Sequence, residues 1–124
     1  MRESQKDSPE VKPTDRIYQA ALVGAVVAFH RRRVGLQQIE LARFVGINQS
    51  AWSKLERGAV GLSLEYLTLI APRFGRTPAG FLEDVERVRA ALERQGVVVD
   101  LYRREGGTLP AQALVACVEA ALAV

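Results

Sequence analysis

The stretch from Gly35 to Gly58 contains most of the side chains that could recognise another molecule by directed hydrogen bonds. It reads GLQQIELARFVGINQSAWSKLERG, with glutamine, serine, lysine and arginine set between apolar residues. A glutamine amide can form two hydrogen bonds to one adenine, and a lysine can donate to guanine O6 and N7. Similar contacts to phosphate oxygens fix the position of a protein on a duplex. These residue types therefore point to nucleic-acid recognition.

Residues that would support catalysis are sparse. The chain has one histidine, His30, and one cysteine, Cys117, without the spacing of a metal site or of a nucleophile–histidine pair. The acids Glu83, Asp84 and Glu86 fall at the start of a predicted helix, where they favour the helix dipole. We therefore expect no enzyme, cofactor or metal. His30 is expected to be a partly buried packing residue, and Cys117 a small apolar side chain in the last helix.

Basic residues are concentrated in the middle of the chain. The net charge is +3, and residues 16–81 hold nine Lys or Arg against three acids, while both flanks are slightly acidic. A basic surface attracts polyanions, although charge alone is equally typical of a solvated surface. The N-terminus lacks the apolar core of a signal peptide, and the longest apolar runs are too short to cross a bilayer. We expect a soluble, cytoplasmic, nucleoid-associated protein that binds no membrane.

Helical periodicity and glycine or proline signals define the elements that would position the stretch. The sequence predicts a flexible arm over 1–13 and a first helix from a cap at Thr14 to about Arg33. Helices are predicted over 36–45 and 49–57, with Asn48 as the N-cap of the second. A fourth helix follows a cap at Ser63, and a fifth runs from Pro78 to Gly96.

The segment after the fifth helix has a different character. Val97–Tyr102 is β-branched and aromatic, as is typical of a strand, and 110–123 reads as an apolar helix that must be buried. A single strand in a helical chain needs a partner from a second subunit, or is simply extended. We expect residues 83–124 to form a dimerisation segment. The expected dimer contacts are Val97, Val99, Leu101, Leu114, Val118 and Leu122.

Two short helices joined by a tight glycine turn form a helix-turn-helix, whose second helix can lie in the major groove. The sequence resembles the lambda-repressor/Cro-like (Xre) helix-turn-helix family over roughly Val23–Leu82, about half the chain. The matching residues are Gly35-Leu36, Gln38, Glu40-Leu41-Ala42, Gly46-Ile47, Ser50, Ser53, Leu55-Glu56-Arg57-Gly58, Ser63-Leu64, Leu67, Ile70-Ala71 and Gly75. The resemblance implies an all-α fold, with a five-helix repressor-like DNA-binding domain over 14–82 and a C-terminal extension.

The resemblance also implies roles for single residues. The positions that match base-reading residues are Gln49, Ser50, Ser53 and Lys54, and those assigned to the DNA backbone are Gln37, Gln38, Arg43 and Arg57. Arg31 and Glu56 match an ion pair that links the first helix to the recognition helix, and Trp52 is expected to be a core anchor. The implied function is that of a transcriptional repressor that binds a palindromic operator on double-stranded DNA as a homodimer.

A second hypothesis remains open at this point. The chain could be an antitoxin or an anti-activator that acts through a protein partner. It is favoured by the apolar segment 109–124, which needs a cover that another protein could supply.

Overall fold

The computed structural model describes residues 11, 15–103 and 108–123. Its helices are α1 (Gln19–Arg33), α2 (Gln38–Val45), α3 (Gln49–Arg57), α4 (Leu64–Ile70), α5 (Pro78–Arg94) and α6 (Ala111–Leu122). Two short strands are β1 (Arg16–Tyr18) and β2 (Val98–Asp100), and a 3₁₀ turn over Ala71–Phe74 follows α4. The predicted fold class, an all-α bundle with a C-terminal extension, is confirmed. The arm expected over 1–13 and the cap expected at Thr14 lie outside the described residues, apart from Val11.

The first helix begins later than the sequence predicts, because residues 16–18 form a strand. β1 pairs in parallel with β2, with Arg16 opposite Val98 and Tyr18 opposite Asp100. The Arg16 guanidinium donates to the Asp100 carboxylate at 3.1 Å, and this side-chain bond joins the two strands in the same register. The suggestion that the C-terminal strand needs a second subunit is therefore wrong, since its partner precedes α1 in the same chain.

Helix α6 is covered by its own chain, because it packs against α1 and α5. The apolar core that holds Trp52 also contains four buried residues of the C-terminal extension: Val97, Leu114, Val118 and Leu122. These four aliphatic residues, which the sequence predicts between subunits, are therefore packed inside the chain itself. Within the described residues, none of the helices has the length and hydropathy needed to cross a bilayer.

The turn between α2 and α3 is built from local signals in the sequence. Gly46 ends α2 in the left-handed conformation at φ 86°, which glycine adopts without steric cost. Asn48 then caps α3, its side-chain oxygen accepting from the Ala51 N–H at 2.8 Å. At the start of α2, where Gln37 replaces the usual Ser or Thr, the Glu40 carboxylate accepts from the Gln37 backbone N–H at 2.7 Å. Gly46 and Asn48 thus close the two helix ends that meet, and Glu40 closes the opposite end of α2.

Helices α1 and α3 approach each other at backbone distance. A Cβ atom on Gly24 of α1 would lie 2.4 Å from the backbone oxygen of Glu56. A Cβ atom on Gly58, just after α3, would lie 2.5 Å from the Cα of Ala21. Both distances are too short for a real side chain, so these glycines allow α3 to lie directly on α1. The cost of Gly24 to helix propensity is offset by this contact.

A buried polar cluster joins α1 to α5. His30 is 1% exposed, less than the sequence suggested, and its Nε2 lies 2.8 Å from the Asp84 carboxylate, also buried. Arg33 donates to His30 Nδ1 at 3.2 Å, so Nδ1 accepts, and the proton of the neutral ring is on Nε2. Arg76 and Arg87 also contact Asp84. Asp84 is thus a core residue and not only a helix-dipole acid.

The cluster predicts that stability falls at mildly acidic pH. Burial lowers the pKa of His30 below 6.5, opposed by Asp84 and assisted by Arg33 and Arg76. Below about pH 6.5 the unfolded chain takes up a proton that the folded chain resists, so the free energy of unfolding decreases as pH falls, by at most about 1.4 kcal/mol per pH unit. Urea unfolding between pH 7.5 and 5 measures this. His30→Gln should flatten the dependence, and parallel curves for the two proteins would contradict the assignment.

Candidate nucleic-acid interface

Helix α3 has one face in the core and one in solvent. Trp52 is fully buried and Leu55 is 2% exposed, so the helix is anchored through its inner face. The side chains on the outer face are Gln49, Ser50, Lys54 and Arg57, which are exposed, and Ser53, which is partly exposed. An α-helix that presents polar, hydrogen-bonding groups from its first turn onward has the form that enters a major groove.

The buried side of α3 is fixed by the carboxylate of Glu56. Arg31 of α1 donates to both of its oxygens, from Nε to Oε2 at 2.6 Å and from Nη2 to Oε1 at 3.1 Å. Gln38 of α2 donates its amide nitrogen to Oε1 at 2.9 Å. Trp52 donates its indole N–H to Oε2 at 2.7 Å. Four donors from three helices thus converge on one carboxylate, and charge-assisted bonds of this type are about twice as strong as neutral ones.

Arg31 extends the network into the connection between α1 and α2. Its Nη1 donates to the backbone oxygen of Leu36 at 3.0 Å, so one guanidinium binds both this connection and α3. The side chains of Arg31 and Glu56 are 12% and 6% exposed. A buried pair with this many bonds holds the start of α2 at a defined position relative to α3.

The positions assigned to the DNA backbone are placed unequally. Gln37, just before α2, and Arg43 of α2 are exposed, whereas Gln38 is partly buried and its amide nitrogen is bonded to Glu56. Arg57 is exposed, and its Nη1 donates to the Ser53 hydroxyl at 2.6 Å. The side chains of Arg57 and Ser53, one helical turn apart on α3, are therefore coupled by a hydrogen bond.

Comparison with known proteins agrees with this geometry. Residues 30–81 match the family model described as Helix-turn-helix. This segment is a lambda-repressor-like helix-turn-helix domain. Neither the curated proteins nor the solved structures gave a match to the chain. The match supports a DNA-binding transcription regulator as the general class of function.

Sequence reasoning did not find two of the groups that hold the domain together. The indole N–H of Trp52 and the amide of Gln38 both bind Glu56, although Trp52 was interpreted only as an apolar anchor and Gln38 only as a phosphate contact. The spacing of Trp52 and Glu56, one helical turn apart, was the available signal.

In the described part of the chain, no group of three or more His, Cys, Asp or Glu could hold a metal ion.

Removing the charge of Glu56 should loosen the helix-turn-helix domain. In Glu56→Gln an amide NH₂ replaces one carboxylate oxygen and faces the donors of Arg31 and Trp52, which leaves a buried guanidinium uncompensated. We expect a loss of about 3–5 kcal/mol in the free energy of unfolding. Urea denaturation followed through Trp52, the only tryptophan, measures both stability and the altered surroundings of the indole.

Glu93→Gln is the matched control, because Glu93 is exposed on α5. It removes the same charge from the chain and should change stability by less than about 0.5 kcal/mol. Equal denaturation midpoints for the two variants would show that Glu56 does not hold α3 in place.

Proposed function

We propose that this protein is a sequence-specific transcriptional repressor that binds a palindromic operator as a homodimer. The observation that carries the proposal is the exposed polar face of α3, held outward by a fully buried inner face. Repression requires only that the operator be occupied, and an exposed recognition helix is sufficient for that step.

Four side chains of α3 are proposed to read base edges: Gln49, Ser50, Ser53 and Lys54. Gln49 lies in the first turn, which approaches the floor of the groove most closely, and Lys54 lies one turn further on. Ser53 accepts from Arg57 in the free protein, so this bond must rearrange or be shared when DNA binds.

Contacts to phosphate are proposed for Gln37, Gln38, Arg43 and Arg57. Gln38 donates its amide nitrogen to Glu56, which orients the side chain before DNA arrives. This preorganisation lowers the conformational cost of binding. Gln38→Ala would therefore disturb both the contact and the network, which makes Arg57 the better residue for testing a phosphate contact alone.

Substitution of Lys54 and of Arg57 should affect DNA binding in different ways. Lys54→Ala should lose about 1–3 kcal/mol on the preferred sequence and relax the preference for one base pair. Arg57→Ala should weaken binding to all sequences alike and reduce the slope of log K against log salt by about one. Selection of bound sequences from a random DNA pool, followed by salt titration, measures both effects.

Arg94→Ala is the control for loss of charge, because Arg94 is exposed at the end of α5. Identical changes in specificity and salt slope for Lys54→Ala and Arg57→Ala would show that the roles are wrongly assigned. A protein that binds no duplex at low salt would refute the proposed function.

The homodimer is proposed to form at the outer edge of β2. Among the described residues β2 pairs only with β1. Val98 of β2 is 40% exposed, and Leu101 and Tyr102, which follow the strand, are 67% and 76% exposed. Large apolar groups next to an open strand edge favour pairing with another strand, and a second copy offers the same edge across a two-fold axis. Of the six dimer contacts expected from sequence, Leu101 and the partly buried Val99 remain proposed.

A charge placed at this edge should separate the subunits. Leu101→Lys is expected to shift sedimentation from dimer to monomer at micromolar concentration and to weaken binding to a palindrome at least tenfold, with half-site affinity unchanged. Leu82→Lys is the control, because Leu82 lies on α5 and its side chain is exposed. A dimer that survives Leu101→Lys, or wild-type protein that sediments as a monomer, would contradict this interface.

The protein-partner hypothesis loses its main support in this structure. It was based on an apolar segment that needed a cover, and α1 and α5 of the same chain provide that cover.

A further inference from the structure

A half-open cavity of about 400 Å³ lies between the helix-turn-helix domain and the C-terminal extension. Helices α1, α2, α3 and α6 all contribute to its wall. A volume of this size falls within the range of small-molecule sites.

Most of the wall of the cavity is apolar. Ala21, Ala25 and Ala28 follow one another on one face of α1, and Leu114 and Val115 of α6 face the same space. Because the alanine side chains are short, α6 does not fill the gap above them. Such a wall suits the body of an apolar molecule.

The polar lining carries a net positive charge. Arg32 and Arg57 are both exposed, and Arg32 forms no ion pair within the described residues. The single acid, Glu56, is neutralised by Arg31 and takes its other bonds from Gln38 and Trp52. Arg32 and Arg57 are thus two uncompensated positive charges beside an apolar wall, which is complementary to a molecule with an anionic group and an apolar body.

We propose that this cavity binds a small monocarboxylate with an aliphatic or aromatic body, and that its occupancy weakens DNA binding. The carboxylate pairs with Arg32 and Arg57, and the body lies against the alanines of α1 and against α6. The second half of the inference rests on the proposed function, because it assigns Arg57 to the DNA backbone.

The coupling to DNA follows from shared groups. A carboxylate that holds Arg57 withdraws it from phosphate and adds a negative charge beside the phosphate-binding surface. The same cavity is lined by Gln38 and Glu56, which fix α3, so a bound molecule also contacts the network that positions the reading helix. Coupling between two sites is reciprocal, and DNA must weaken carboxylate binding by the same factor.

Titration with octanoate, without DNA, tests the cavity directly. Trp52 is the only tryptophan, and its indole binds Glu56 in the cavity wall, so its fluorescence reports occupancy. We expect a saturable change with octanoate and at least about tenfold weaker binding of 1-octanol, which has the same chain but no charge. No saturable change with octanoate, or equal binding of octanol, overturns the inference.

Two variants locate the bound molecule, and a third serves as control. Ala25→Leu places a larger side chain in the cavity and should abolish the fluorescence change, while Arg32→Gln should weaken octanoate about tenfold and leave octanol unaffected. Arg94→Gln removes a charge outside the cavity and should behave as wild type. Thermal melts confirm folding. Wild-type octanoate binding by folded Ala25→Leu or by Arg32→Gln refutes the site.

Measuring DNA binding by the same proteins distinguishes a failure of the carboxylate site from a failure of the proposed function. Octanoate should lower the DNA affinity of wild-type protein and leave that of Ala25→Leu unchanged. If octanoate binds but no duplex does, the cavity stands and the proposed function fails. If DNA binds and octanoate does not, the inference fails and the function stands, and if both bind independently, the coupling is wrong.

Discussion

The placement of helix α3 depends on one buried carboxylate. Glu56 would be costly to bury alone, since an unpaired charge in a protein interior costs several kcal/mol. Its donors come from α1, α2 and α3, so the charge is satisfied only when the three helices take one mutual arrangement. The electrostatic requirement thereby becomes a geometric one, and alternative packings of these helices leave a charge or a donor unmatched.

This arrangement separates rigidity from adaptability. The inner side of α3 lies against α1 at backbone distance, and the contacts at Gly24 and Gly58 leave no room for a side chain. The outer side carries long, exposed side chains such as Lys54 and Gln49, which are free to change conformation. Helix α3 thus combines a rigid support on its inner side with adaptable polar groups on its outer side.

Local signals made the helix-turn-helix predictable, and distant contacts limited the rest. Asn48 and Gly46 act within a few residues of their own positions, so the pattern alone predicts both helices and their turn. The strand at 16–18 is only three residues long and gains its identity from residues 98–100, which no local pattern records. The bond of His30 to Asp84 also joins residues far apart in sequence, 54 positions from each other. The apolar character of α6 required a cover, but composition does not say which chain supplies it.

The parallel pairing of β1 with β2 has a consequence for synthesis on the ribosome. Strand β1 and helices α1, α2 and α3 emerge early, yet β1 has no strand to pair with until residue 98 appears, and α1 lacks the α6 cover until about residue 122. At roughly 5–20 residues per second, this interval lasts on the order of several seconds. During it the nascent chain exposes a complete recognition motif on a body with an open apolar flank, the state most vulnerable to chaperone capture, proteolysis or aggregation.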